Sequence, residues 1–190
     1  MRKKLITAII ALSLTLCCVV GVTLAYLVDS TGTIINTFNP QNIDVELKET
    51  TGTEYDMVPG ITLKKDPTVT IVNDIDCYVF VMITEANNVW NNGTKDITII
   101  EWVKADGWTL VDGTTNVYYR EVLAEATDKT FSVLADDQVK VSTDVTKVYM
   151  DGIENNTIAK PTLSFIAYAT QMYNDTTKFT PAQAWANCKG

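Results

Sequence analysis

Seven consecutive residues, Cys77-Tyr78-Val79-Phe80-Val81-Met82-Ile83, are all apolar. A run of that length, rich in β-branched and aromatic side chains, predicts a central strand covered on both faces. Its neighbours read differently. Ile43-Asp44-Val45-Glu46-Leu47-Lys48 alternates strictly between apolar and charged, and Thr68-Val69-Thr70-Ile71-Val72-Asn73 alternates again, the period-2 mark of strands with one buried face. Further strands are expected over 97–103, 108–111, 116–122, 130–134, 138–141, 145–150 and 161–171. Asn91-Asn92-Gly93, Asp106-Gly107, Asp112-Gly113 and Asp151-Gly152 punctuate them as tight turns, and Pro59-Gly60 marks another. No strand-helix-strand rhythm of a parallel fold is present. The expected class is all-β: an antiparallel two-sheet sandwich of jelly-roll or Greek-key type, closed by a short C-terminal helix.

That helix is expected after Thr180. Thr180-Pro181-Ala182-Gln183 offers an N-cap threonine, proline at the first helical position and glutamine three residues after the cap, a capping box. Trp185 is then placed to fold back onto the sheets. A second helical turn is expected at Ala124-Glu125-Ala126.

Residues 1–25 read as a secretion signal. Arg2, Lys3 and Lys4 precede an apolar and small-residue run from Leu5 to Val22, and Thr23 and Ala25 occupy the −3 and −1 positions of a cleavage site. Cleavage between Ala25 and Tyr26 is expected; retention as a membrane anchor is the other reading of the same run. The chain then divides into 1–25 (signal), 26–41 (an extended N-terminal segment) and 42–190 (the β-sandwich domain). Membrane contact is expected only before cleavage, with a signal peptidase as partner.

Cleavage removes three of 15 basic residues and none of 23 acidic ones, leaving a formal charge of 12 − 23 = −11. So acidic a chain is a poor partner for nucleic acid, which needs clustered Lys and Arg. Cys17 and Cys18 leave with the signal, so Cys77 and Cys188 remain. Either they pair, stabilising by ~4–5 kcal/mol through closure of a long loop, or they stay as thiols. The chain contains no histidine. That absence removes HExxH zinc sites, Ser-His-Asp and Cys-His catalysis and imidazole bases. No enzymatic activity, cofactor or metal is expected. Asp74 with Asp76, Asp136-Asp137, and Asp151 with Glu154 are carboxylate groupings that match no calcium-loop spacing and read as turn acids. Trp90, Trp102, Trp108, Tyr118 and Tyr119 form either a glycan-binding surface or packed sheet positions.

Several pieces, in order, resemble one family. Gly21-Val22-Thr23-Leu24-Ala25 followed by Tyr26-Leu27-Val28-Asp29 is similar to the exit of substrates of the dedicated endospore-former signal peptidase. Asn36-Thr37-Phe38 and then Asn42-Ile43-Asp44-Val45-Glu46-Leu47 resemble the first mature strands of the TasA/camelysin family. Val58-Pro59-Gly60 through Asp66 resembles its turn into the next strand. Leu163 to Gln171 resembles its closing strand, with Ala184-Trp185 in the following helix.

The resemblance implies a jelly-roll protein exported by a Gram-positive bacterium to its extracellular matrix or cell surface. It implies a biofilm-matrix subunit that associates with itself, or with a related matrix protein, into fibres. It also implies that the segment freed by cleavage acts as a donor strand in the next subunit. Residues 26–38 are the candidate donor, with Leu27, Ile34, Ile35 and Phe38 as anchors; the same segment can equally be the domain's own first strand or a loose lead. A monomeric adhesin or accessory module binding glycan or a matrix protein is the alternative. Camelysin-type peptidase activity, which the family name suggests, lacks histidine ligands here.

Overall fold

The computed structural model describes residues 42–188. Among these residues the chain is all-β, with several antiparallel sheets and two short helices. β4 (Cys77–Ala86) is the spine. It pairs antiparallel with β12 (Thr162–Gln171) on one side and β9 (Val117–Val122) on the other, and β8 (Thr109–Leu110) extends the sheet beyond β9. A second sheet joins β1 (Ile43–Lys48), β3 (Thr68–Asn73) and β10 (Thr130–Ser132). A third joins β2 (Thr62–Lys64), β11 (Gln138–Val141) and β7 (Ile100–Glu101). Two hairpins complete the set: β5 (Val89–Asn91) with β6 (Asp96–Thr98), and β13 (Tyr173–Asn174) with β14 (Thr177–Lys178).

The apolar spine is covered on both faces, as its sequence requires. Successive side chains of a strand point to opposite sides. Cys77, Val79, Val81 and Ile83 therefore enter one cluster, with Val69 and Ile71 of β3 and Phe131 of β10. Tyr78 and Phe80 enter another, where Met172, Ala184 and Trp185 cover the opposite face. Trp185 belongs to the C-terminal helix, α2 (Pro181–Asn187), whose capping box forms as expected: the Thr180 hydroxyl accepts from Gln183 N, and Thr180 N donates to the Gln183 side chain. A seven-residue helix is unstable alone. Packing holds it, with the Trp185 ring 5.4 Å from Phe80 and 5.1 Å from Tyr168.

The expected strand at 145–150 is a correction. Lys147–Glu154 is an α-helix, α1. Val145, Tyr149 and Ile153 recur at helical spacing and line a third cluster with Ile97, Ile99 and Val141, while Val148 between them is 69% exposed. Lys147 Nζ lies 2.6 Å from Asp151 Oδ1, four residues on. Asp151-Gly152 accordingly sits inside this helix and makes no turn. Gly152 is buried because Ile158 packs where a side chain would stand.

The run 97–103 is also divided. Asn88 interrupts it, donating from its side chain to Ile100 O and accepting from Ile100 N, so the segment changes partners between β6 and β7. Ala124-Glu125-Ala126 forms a single turn rather than a helix, closed by Ala126 N donating to Leu123 O. The remaining punctuation holds. Gly60, Gly93, Gly107 and Gly113 have φ of 80°, 88°, 86° and 77°, the left-handed region that glycine enters without strain.

Candidate functional site: a half-open seam between two sheets

β12 is ten residues long and, among the described residues, bonds to a ladder on one side only, along β4 from Thr162↔Ala86 to Gln171↔Cys77. Near it lies β1, the outer strand of the second sheet. Cα atoms of the two strands come within 8 Å of each other, nearer than the ~10 Å between sheets packed face to face. Yet among the described residues no ladder joins them. Among the described residues each strand of this seam therefore has a ladder partner on one side only. An open strand edge of that kind is a template for another chain.

The inward side chains show the same incompleteness. Val69 and Ile71 of β3 and Val79 and Val81 of β4 are at most 1% exposed. One strand further out, at the seam, Ile43, Val45 and Leu47 of β1 and Leu163, Phe165, Ala167 and Ala169 of β12 are only half-buried, although they point into the same cluster. The core between the sheets is sealed in its centre and thin along this border.

A polar clasp fixes the chain at the Lys48 end of β1. Lys65 and Asp66 are buried. Lys65 Nζ lies 2.7 Å from Glu49 Oε1 and 5.5 Å from the centre of the Phe165 ring on β12. Tyr55 donates to the same Glu49 oxygen at 2.9 Å. Asp66 accepts from the Thr50 and Thr51 hydroxyls and from both backbone amides. Those bonds, the Thr50 hydroxyl first, hold its carboxyl well below the usual range. The connection after β1 is thereby tied beside the seam. At the opposite end, Asn42 N donates to Asp74 Oδ2 and Asp74 N to Asn42 O, fixing where the chain enters β1.

The other sequence candidates are placed as follows. Ala25, Tyr26, Leu27, Ile34, Ile35 and Phe38 lie outside the described residues. Cys77 and Cys188 are free thiols. They belong to the clusters on opposite faces of the central sheet, Cys77 between the sheets and Cys188 beside α2. No disulfide joins them in this structure. Burial pushes the Cys77 thiol up to about 11. The carboxylate groupings do not converge: Asp74 binds Asn42 N, Asp76 binds Ala124 N and Asp151 pairs with Lys147. Among the described residues no group of three or more His, Cys, Asp or Glu side chains is arranged to hold a metal ion.

The aromatic residues form no common platform. Trp108 is buried with its indole donating to Ser132 O and its ring 5.0 Å from the Arg120 guanidinium. The Trp90 ring lies 5.2 Å from Tyr149, tilted by 54°, Tyr119 packs on Tyr78 at 5.9 Å, and Tyr118 and Trp102 lie against the central cluster. The seam itself was not visible in the sequence: β12 begins at Thr162, 114 residues after β1 ends at Lys48, and which strands end at an edge is decided only on assembly. Comparisons with protein-family models, with curated proteins and with solved structures gave no match.

Proposed function

We propose that this protein is a secreted structural subunit of an extracellular matrix, assembled head to tail by strand donation. On this reading the secretion signal is cleaved between Ala25 and Tyr26. The freed segment 26–38 then lies along the β1–β12 seam of the next copy. One observation carries it: among the described residues, a ten-residue strand edge without a ladder partner, backed by half-covered apolar side chains of the main cluster. An extended peptide added there gains main-chain hydrogen bonds, and alternate side chains cover the exposed apolar border. Leu27, Ile34, Ile35 and Phe38 supply apolar groups for that purpose. Donation from one copy to the next is heterologous and does not close on itself, so it propagates as a filament. The fold in this reading is a jelly-roll sandwich of TasA/camelysin type, and the role is structural rather than enzymatic.

The test compares chains starting at Tyr26 and at Asn42, both incubated at raised salt so that the acidic copies approach. Sedimentation and electron microscopy should show fibres from the first and monomers from the second. Equal polymerisation of both, or monomers from both, rejects strand donation.

A further inference from the structure

We infer that the β5–β6 hairpin is a self-modifying site at which the Asn92 side-chain amide is converted to aspartate and isoaspartate through a cyclic imide. The turn assembles each group such a reaction needs. The nucleophile is the backbone nitrogen of Gly93, which carries no side chain, has φ of 88° and has no atom within 4 Å of where a Cβ would stand. Asn92 supplies the electrophile. Its Oδ1 accepts from Thr94 N and Lys95 N, both at 2.9 Å. Two backbone amides on one carbonyl oxygen polarise its carbon and stabilise the negative charge that develops there on attack, the arrangement of an oxyanion hole.

The proton has a path as well. Gly93 N donates to Asn91 Oδ1 at 2.7 Å, and Asn91 Nδ2 donates to Asp96 Oδ1 at 2.7 Å. As Gly93 N attacks, the Asn91 amide takes its proton at Oδ1 and passes one from Nδ2 to the Asp96 carboxylate. Chains of this kind polarise each member. A bond forms from Gly93 N to Asn92 Cγ and the Cγ–Nδ2 bond breaks. Ammonia leaves with a proton taken from solvent, Asp96 releases its proton to solvent, and Asn91 returns to its amide tautomer. Water then opens the imide at either carbonyl, giving aspartate or isoaspartate at 92, with no oxidant or reductant required. All residues from 91 to 96 are exposed, so water reaches the imide and ammonia escapes.

The product changes the hairpin. A new carboxylate appears beside the Lys95–Asp144 ion pair, 2.6 Å long. Isoaspartate also lengthens the main chain inside the turn that sets the pairs Asn91↔Asp96 and Trp90↔Ile97. Trp90 and Ile97 cover the third cluster, so the conversion loosens that cover as the protein ages in place.

The experiment incubates the folded chain from Tyr26 at pH 8 and 37 °C beside a synthetic peptide of residues 88–98. Intact mass, peptide mapping and isoaspartyl methyltransferase labelling follow the reaction. Asn92 in the folded chain should convert faster than in the peptide and ahead of every other asparagine. Shown folded by circular dichroism, Asn91→Ala should slow it about fivefold, the worth of one neutral hydrogen bond, and Asp96→Asn at least about tenfold, the worth of one to a charged group. A folded chain that converts at or below the peptide's rate overturns the inference. So do variants that convert at the parent rate.

Discussion

Replacing Trp185 with alanine tests how the edge strand of the seam is supported. Trp185 is 5% exposed, and its ring meets Phe80 of the spine and, edge-on at 81°, Tyr168 of β12. Truncating a buried tryptophan costs about 3–5 kcal/mol, and each aromatic pair adds ~0.5–1.5 kcal/mol beyond the area it buries. Ala184 is the helix's other buried residue. Seven residues cannot stay helical undocked, so the loss is that of docking the whole segment, about 3–5 kcal/mol. For a domain of this size each kcal/mol lowers Tm by about 2–4 °C, so Trp185→Ala should melt roughly 6–20 °C lower. Trp185→Phe, which keeps a ring against Tyr168, should recover about half of that. Scanning calorimetry of the chain from Tyr26, with limited proteolysis across 175–181, measures both effects. A Trp185→Ala protein melting within about 2 °C of the parent and equally resistant to protease would refute the docked helix.

The Asp66 clasp predicts an acid response of definite sign. Its folded carboxyl titrates well below the ordinary value of 3.8, so the stability it contributes is fully present above that value and fades as pH falls from about 4 towards the lower folded value. Asp66→Asn should unfold more easily in urea at pH 7 but lose part of the parent's decline between about pH 4 and 2; parallel pH curves for the two proteins would rule the clasp out. For the cysteines, the denatured and unreduced chain from Tyr26 should take two thiol labels. Under native conditions half-buried Cys188 should react before Cys77, whose thiol is both sealed and harder to ionise; a chain that takes no label until reduced would contradict the two-face placement.

Much of the fold was legible because the decisive information was local. β1 and β3 were found from strict alternation, β4 from its uninterrupted apolar run, and α2 from a capping box that needs four residues only. α1 was misread because Val145, Val148 and Tyr149 favour strands by propensity, and Asp151-Gly152 has the composition of a turn. The i, i+4 stripe of Val145, Tyr149 and Ile153 was the competing signal, and burial against Ile97 and Val141 selects it. The division of 97–103 rests on Asn88, whose bonds to Ile100 lie twelve residues away and leave no pattern in the run itself. Nothing in Leu163 or Phe165 distinguishes an edge strand from an interior one. Their half-burial depends on which strand, if any, lies beside them.

Hydrogen exchange along β12 tests the central claim most directly. In material assembled from the chain starting at Tyr26, the β12 amides that point away from β4 should become slow to exchange, while in the chain starting at Asn42 they should remain fast under the same salt. Fibres whose β12 amides exchange as quickly as the monomer's would show that the seam stays empty on assembly, and strand donation at this edge would be wrong.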